Sequence, residues 1–145
     1  YLSQVYSLTR LGIRFPGNQS GSIPAQCISP LTRLKVLLSG TLSNTNVLSS
    51  LVNLEELNSS EQSLNAEFPF EVMKNLTGII VRDMDSKALQ KLTNLANFKS
   101  LSVRHILNPQ EDDFSGIEKC QKLFRLHYAK SLITEKRKFI PTQKL

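Results

Sequence analysis

The chain has no tryptophan, two cysteines in 145 residues, six glycines and only 7% aromatic residues. Each scarcity removes a class of answer. Cys27 and Cys120 are too few for the disulfide framework of a small secreted domain. With His105 and His127 they are all the thiols and imidazoles available, and none has the short paired spacing of a zinc site. The glycines do not form a phosphate-cradling loop, since Gly12, Gly17 and Gly21 are scattered through one turn region. The few aromatics offer little to stack on the bases of single-stranded nucleic acid. No run of 18 or more apolar residues occurs, so no segment reads as a membrane span, and the stretch Tyr1-Leu-Ser-Gln-Val-Tyr-Ser lacks the charged-then-apolar profile of a signal peptide. Three glycosylation-type triplets begin at Asn18, Asn58 and Asn75, but a chain this rich in Asn, Ser and Thr generates such triplets by chance. The compartment stays open, with the cytoplasm slightly favoured over an extracellular location.

Acids are scarce relative to bases: twelve Asp and Glu against eighteen Lys and Arg leave a net charge of +6. That favours acidic partners without distinguishing an acidic protein from nucleic acid or an anionic membrane. What the chain does have is apolar residues, 40% of the total. This suffices for one core without disulfides or metals.

Those apolar residues recur every third position in six frames. The frames are Leu2-Val5-Leu8-Leu11, Ile28-Leu31-Leu34-Leu37, Leu48-Leu51-Leu54-Leu57, Phe70-Met73-Leu76-Ile79, Leu92-Leu95-Phe98-Leu101 and Ile117-Cys120-Leu123-Leu126. A period of three is a poor α-helical stripe, because each step falls back about 60° and three steps reach the opposite face. It suits a chain that passes through a tight turn into a short strand. Several frames continue as a strand would, with Ile13, Val81, Val103 and Tyr128 two residues past the fourth member.

The resulting segments, Leu8-x-x-Leu11-x-Ile13, Leu76-x-x-Ile79-x-Val81, Phe98-x-x-Leu101-x-Val103 and Leu123-x-x-Leu126-x-Tyr128, resemble the leucine-rich-repeat family over residues 2 to 130. The intervals between frame starts, 26, 20, 22, 22 and 25 residues, fall in that family's range and nearest its short-repeat subclass. The resemblance implies an α/β solenoid of horseshoe form. Such a fold has a parallel concave sheet of about six short strands and convex turns or 3₁₀ pieces, with little long helix. Residues 1–130 would form the solenoid and 131–145 a basic C-terminal segment containing Glu135-Lys-Arg-Lys138. The family's Asn ladder is missing, its positions being held by Pro16, Leu42, Gln62, Met84, Ile106 and Ser131. Ser39 and Ser59 replace the third strand apolar in the second and third repeats. Around Leu34 the register has an alternative, with Leu31-x-x-Leu34-x-Val36 as the strand. Asn108-Pro109 and Gln110 to Asp113 mark an insertion before the last repeat.

The family resemblance implies binding through the concave face, so the outward strand positions are the candidate site. One column holds Gly12, Leu38, Asn58, Ile80, Ser102 and His127. Those beside it hold Arg10, Val36, Glu56, Gly78, Ser100 and Arg125, then Arg14, Gly40, Ser60, Arg82, Arg104 and Ala129. Arg82, Arg104, His105, Arg125, His127 and Lys130 gather in the last three repeats and suit an acidic segment of a protein partner, since arginine pairs carboxylates bidentately. A solvated sheet also carries polar groups for solubility alone. Leu38 and Ile80, with Val36, offer an apolar contact spot, although single exposed apolar residues are common. Cys120 reads as a core residue, and the separation of Cys27 from it, about four strands or 19 Å, excludes a disulfide. Asp83 with Asp85, and Glu111 to Asp113, read as charge runs in loops rather than as acid catalysts or metal ligands.

No catalytic constellation, metal site or cofactor is expected. The leading reading is a non-enzymatic protein-interaction scaffold. Its rivals are a cell-surface adhesin or receptor, which glycans would favour, and electrostatic binding to nucleic acid or an anionic membrane, with nucleic acid disfavoured by the scarce aromatics. The absence of an obvious polar cap points to a piece of a longer chain, or to a partner packed end-on.

Overall fold

The computed structural model describes residues 6–14, 21–107, 122 and 125–128. Among them are eight strands: β1 (Arg10–Gly12), β2 (Ser22–Pro24), β3 (Val36–Leu38), β4 (Thr41–Ser43), β5 (Glu56–Leu64), β6 (Gly78–Asp85), β7 (Ser100–Leu107) and β8 (Arg125–Tyr128). One α-helix, α1 (Ser86–Leu92), follows β6. Strands β1-β3-β5-β6-β7-β8 form a six-stranded sheet in that order, and β2 and β4 form a second, two-stranded sheet. Every pairing is parallel.

The period of three has a direct backbone cause. Within the turns, the amide of one frame residue donates to the carbonyl of the frame residue before it. Leu31 bonds to Ile28, Leu34 to Leu31, Leu51 to Leu48, Leu54 to Leu51, Met73 to Phe70, Leu76 to Met73, Leu95 to Leu92 and Phe98 to Leu95. Such i to i+3 closure has three residues per turn, so side chains three apart eclipse and all face one way. That way is the core: from Ile28 through Leu101 every frame side chain is at most 6% exposed.

The chain then enters the large sheet with the fourth frame member in register. Leu11 pairs with Leu37, Leu37 with Leu57, Leu57 with Ile79, Ile79 with Leu101 and Leu101 with Leu126. This decides the register of the second repeat, where Leu37 rather than Leu34 is the strand position. Frame members Leu2, Val5, Ile117, Cys120 and Leu123 lie outside the described residues, as do the insertion and the segment 131–145.

Three features depart from the sequence expectation. Strands β5, β6 and β7 are eight or nine residues long rather than short, and their additional residues stay paired within the large sheet. Pairing of β5 with β6 passes from Ser59–Val81 to Ser63–Asp83, so β5 carries two extra residues at an irregularity. There the backbone of β5 leaves the ladder, and side chains take over. Gln62, 6% exposed, accepts from Leu42 N at 2.6 Å through Oε1 and donates to Leu42 O at 3.3 Å through Nε2. Ser59 donates to Gly40 O at 2.7 Å. Gln62 therefore fills the expected ladder position with ladder-like bonds, while Leu42, Met84 and Ile106 there are buried apolar residues.

A second set of side-chain links lies one residue before the third frame member. Asn53 Nδ2 donates to Thr32 O at 2.9 Å, Asn75 Nδ2 reaches Val52 O at 3.5 Å, and Lys122 Nζ donates to Asn97 Oδ1 at 2.7 Å. The two asparagines stitch adjacent repeats through backbone carbonyls of the turns, and the lysine does so through a side-chain amide.

The third departure is α1, where the repeats before it have 3₁₀ turns at Ala25–Cys27, Thr45–Ser50 and Phe70–Val72. Asp85 accepts from Lys87 N at 2.8 Å, an N-cap, and the helix buries Ala88, Leu89 and Leu92. Lys91 in its last turn donates to Ala66 O at 2.6 Å, anchoring the helix to the preceding repeat.

Candidate functional site

The strands of the large sheet turn alternate side chains inward, so the residues between them form an outer face. Its central column is in register as Gly12, Leu38, Asn58, Ile80, Ser102 and His127. Ile80 is 42% exposed, Leu38 and Val36 are half-buried, and His127 is exposed. Gly78 stands in the row beside Ile80, where a Cβ would make ordinary contact with Glu56 Cγ at 3.9 Å. The neighbouring row runs Arg10, Val36, Glu56, Gly78, Ser100 and Arg125. Arg125 lies on β8, and Lys130 lies outside the described residues.

The basic residues do not act as one group. Arg82 Nε donates to Asp83 Oδ2 at 2.9 Å, and Arg82 Nη1 lies 3.8 Å from Glu61 Oε2. His105 Nδ1 is 2.8 Å from Asp83 Oδ1. Arg82 and His105 thus share one carboxylate between them, whereas Arg104 is exposed and has no partner among the described residues. On the acidic side, Glu55 lies 3.8 Å from Lys35 and Glu61 meets Arg82, while Glu56 is exposed and unpaired among the described residues.

Asp83 is the residue the sequence reading misplaced. It and Asp85 belong to β6, not to a loop, and Asp83 is 9% exposed. Burial pushes its carboxyl up, but hydrogen bonds from His105 and Arg82 and their charge outweigh this and hold it below its ordinary value of 3.8. The signal was present in the repeat itself: Glu61, Asp83 and His105 each stand four residues after the strand leucine or isoleucine of their frames, so an acid had to meet the basic column. Across β5, β6 and β7 the order is Ser63, Asp83, His105. The carboxylate is the middle member, so the imidazole is not interposed between hydroxyl and acid as proton relay from a serine requires. The group is a hydrogen-bonded network that ties β6 to β7 within the large sheet, just past the irregularity in β5.

Cys27 is an exposed free thiol, and Cys120 lies outside the described residues. No group of three or more His, Cys, Asp or Glu is placed to hold a metal ion among the described residues, and no helix among them is long and apolar enough to cross a membrane.

No protein-family model and no curated protein sequence matches the chain. Among solved structures it is similar to an internalin, a leucine-rich-repeat protein, from Listeria monocytogenes, with a TM-score of 0.69 and 17% sequence identity. The match covers 91% of this chain and 37% of that one, so the chain spans little more than a third of that internalin's length. At this identity the likeness is one of fold. It agrees with the parallel sheet in describing a leucine-rich-repeat-like solenoid.

Proposed function

We propose that the chain is a non-enzymatic protein-interaction module that binds its partner on the outer face of the six-stranded sheet, the concave side if the solenoid curves as a horseshoe. The observation that carries this is the face itself: six strands in register present aligned rows of side chains, with Ile80 exposed at the centre and no side chain at Gly78 beside it. A large apolar side chain held on a rigid sheet and ringed by polar groups is the usual anatomy of an interface anchor. The internalin-like fold supports a protein partner over a small substrate, since function here has to come from a surface. An acidic group of that partner would meet the exposed Arg104, whereas Arg82 and His105 are already engaged with Asp83.

The test places a photo-crosslinking amino acid at Ser102 on the face, or at exposed Gln90 on α1, in extracts of the native source. The expected result is a protein adduct from position 102 that Ile80→Asp abolishes, with none from position 90. Adducts from position 90 alone, or binding only to nucleic acid or vesicles that disappears as salt is raised, would overturn the reading.

A further inference from the structure

The charges of the outer face divide into those the chain neutralises itself and those it leaves over. Lys35 with Glu55, and Arg82 with Asp83 and Glu61, are internal pairs. Exposed and without a partner among the described residues are Arg10 at the β1 edge and, on either side of β6, Glu56 on β5 and Arg104 on β7. Between Glu56 and Arg104, on β6, stands Ile80, 42% exposed.

The register makes this a line. From Glu56 to Ile80 is one strand across and two residues along, and from Ile80 to Arg104 is the same step again. With strands about 4.8 Å apart and residues rising about 3.3 Å, each step is about 8 Å and the whole line about 16 Å. We propose that this diagonal is the recognition line of the face. Its partner is a protein surface that presents a cation over Glu56, an apolar side chain on Ile80 and an anion over Arg104, in that order. This rests on the reading that the outer face is the binding face, and it adds the polarity of the partner.

The charge pattern disfavours a uniformly acidic segment. Such a segment would gain Arg104 but bring like charge against Glu56, which costs at close range in a desolvated contact. A partner of mixed charge gains at both ends. An α-helix can supply the pattern, since residues eleven apart return to one face about 16.5 Å on.

The experiment measures the adduct yield of the full chain carrying the crosslinker at Ser102, in the background of single substitutions. Glu56→Lys and Arg104→Glu are each expected to lower the yield about fivefold, the size of one exposed ion pair. Lys87→Glu on α1 should leave it unchanged, and circular dichroism should show all three variants folded. Loss with Arg104→Glu alone, together with an unchanged or higher yield with Glu56→Lys, would mean an acidic segment and would overturn the diagonal. A yield indifferent to both substitutions but abolished by Ile80→Asp would also overturn it while leaving the binding face intact. If position 102 forms no protein adduct at all, the face reading fails and the diagonal fails with it.

Discussion

Asp83 shows how one side chain carries more than its own charge. Its two oxygens are occupied by Arg82 and His105, so replacing it with Asn leaves the guanidinium and the imidazole facing a neutral amide. Asp83→Asn is expected to cost about 1–3 kcal/mol at pH 7, read as a shift in urea midpoint. Because the folded carboxyl titrates below 3.8, the folded state takes up this proton less readily than the unfolded chain. The stabilisation is therefore complete above that value and is lost as pH falls through the lower folded one. The gap between wild type and Asp83→Asn should close as pH falls from 5 towards 2; a gap that stayed constant to pH 2 would show that the carboxylate is not responsible. Gln62 makes a second residue-scale case. It satisfies both backbone groups of Leu42, so Gln62→Ala should cost about 1–3 kcal/mol by leaving a buried amide and carbonyl unpaired. Ser39 is the converse, its hydroxyl oxygen buried without a partner among the described residues. Ser39→Ala should be neutral or stabilising by up to about 1 kcal/mol in the same assay.

At the scale of elements, the sequence spoke clearly wherever one rule acted alone. Eclipsed i to i+3 turns feeding a strand leave a period of three and then of two, and the registered leucines of β1, β3 and β5 follow it. The outward columns were legible for the same reason, because they are fixed once the inward ones are. What the pattern hid was each place where two rules compete. Two extra residues in β5 cannot be read from spacing that still looks regular, and their effect is carried by the polar side chains Ser59 and Gln62. Helix α1 sits where the preceding repeats turn as 3₁₀, because Ser86 to Leu92 combines good helix formers with the cap at Asp85. Asp85→Ala should remove the bond to Lys87 N and cost about 1 kcal/mol, with amide exchange quickening in α1 first. The pairing of the candidate site was hidden in another way: charge counts add, but the Arg82 charge is met by Asp83, which also takes the His105 imidazole.

For the molecule as a whole, stability should be a sum over neighbouring repeats rather than a property of one centre. Leu37, Leu57, Ile79 and Leu101 are all at most 1% exposed and stand at equivalent strand positions, whereas Leu11 at the same position of the β1 edge is 9% exposed. Hydrogen exchange should therefore be slowest in β5, β6 and β7 and fastest in β1 and β2. Leu57→Ala should cost about 2–5 kcal/mol and quicken exchange in its two neighbouring strands before the rest; uniform acceleration everywhere would indicate all-or-none cooperativity instead.

The parallel ladder has a mechanical consequence. Because strands neighbouring in the large sheet from β3 to β7 are also successive turns of one winding chain, a pull on the two ends would peel the sheet one repeat at a time rather than shear it at once. Each 22-residue repeat between Leu57, Ile79 and Leu101 would release about 75 Å of slack. The turn between β3 and β5, clamped to its neighbour by the side chains of Gln62 and Ser59 in place of a continuous backbone ladder, would set the weakest step in that staircase of forces.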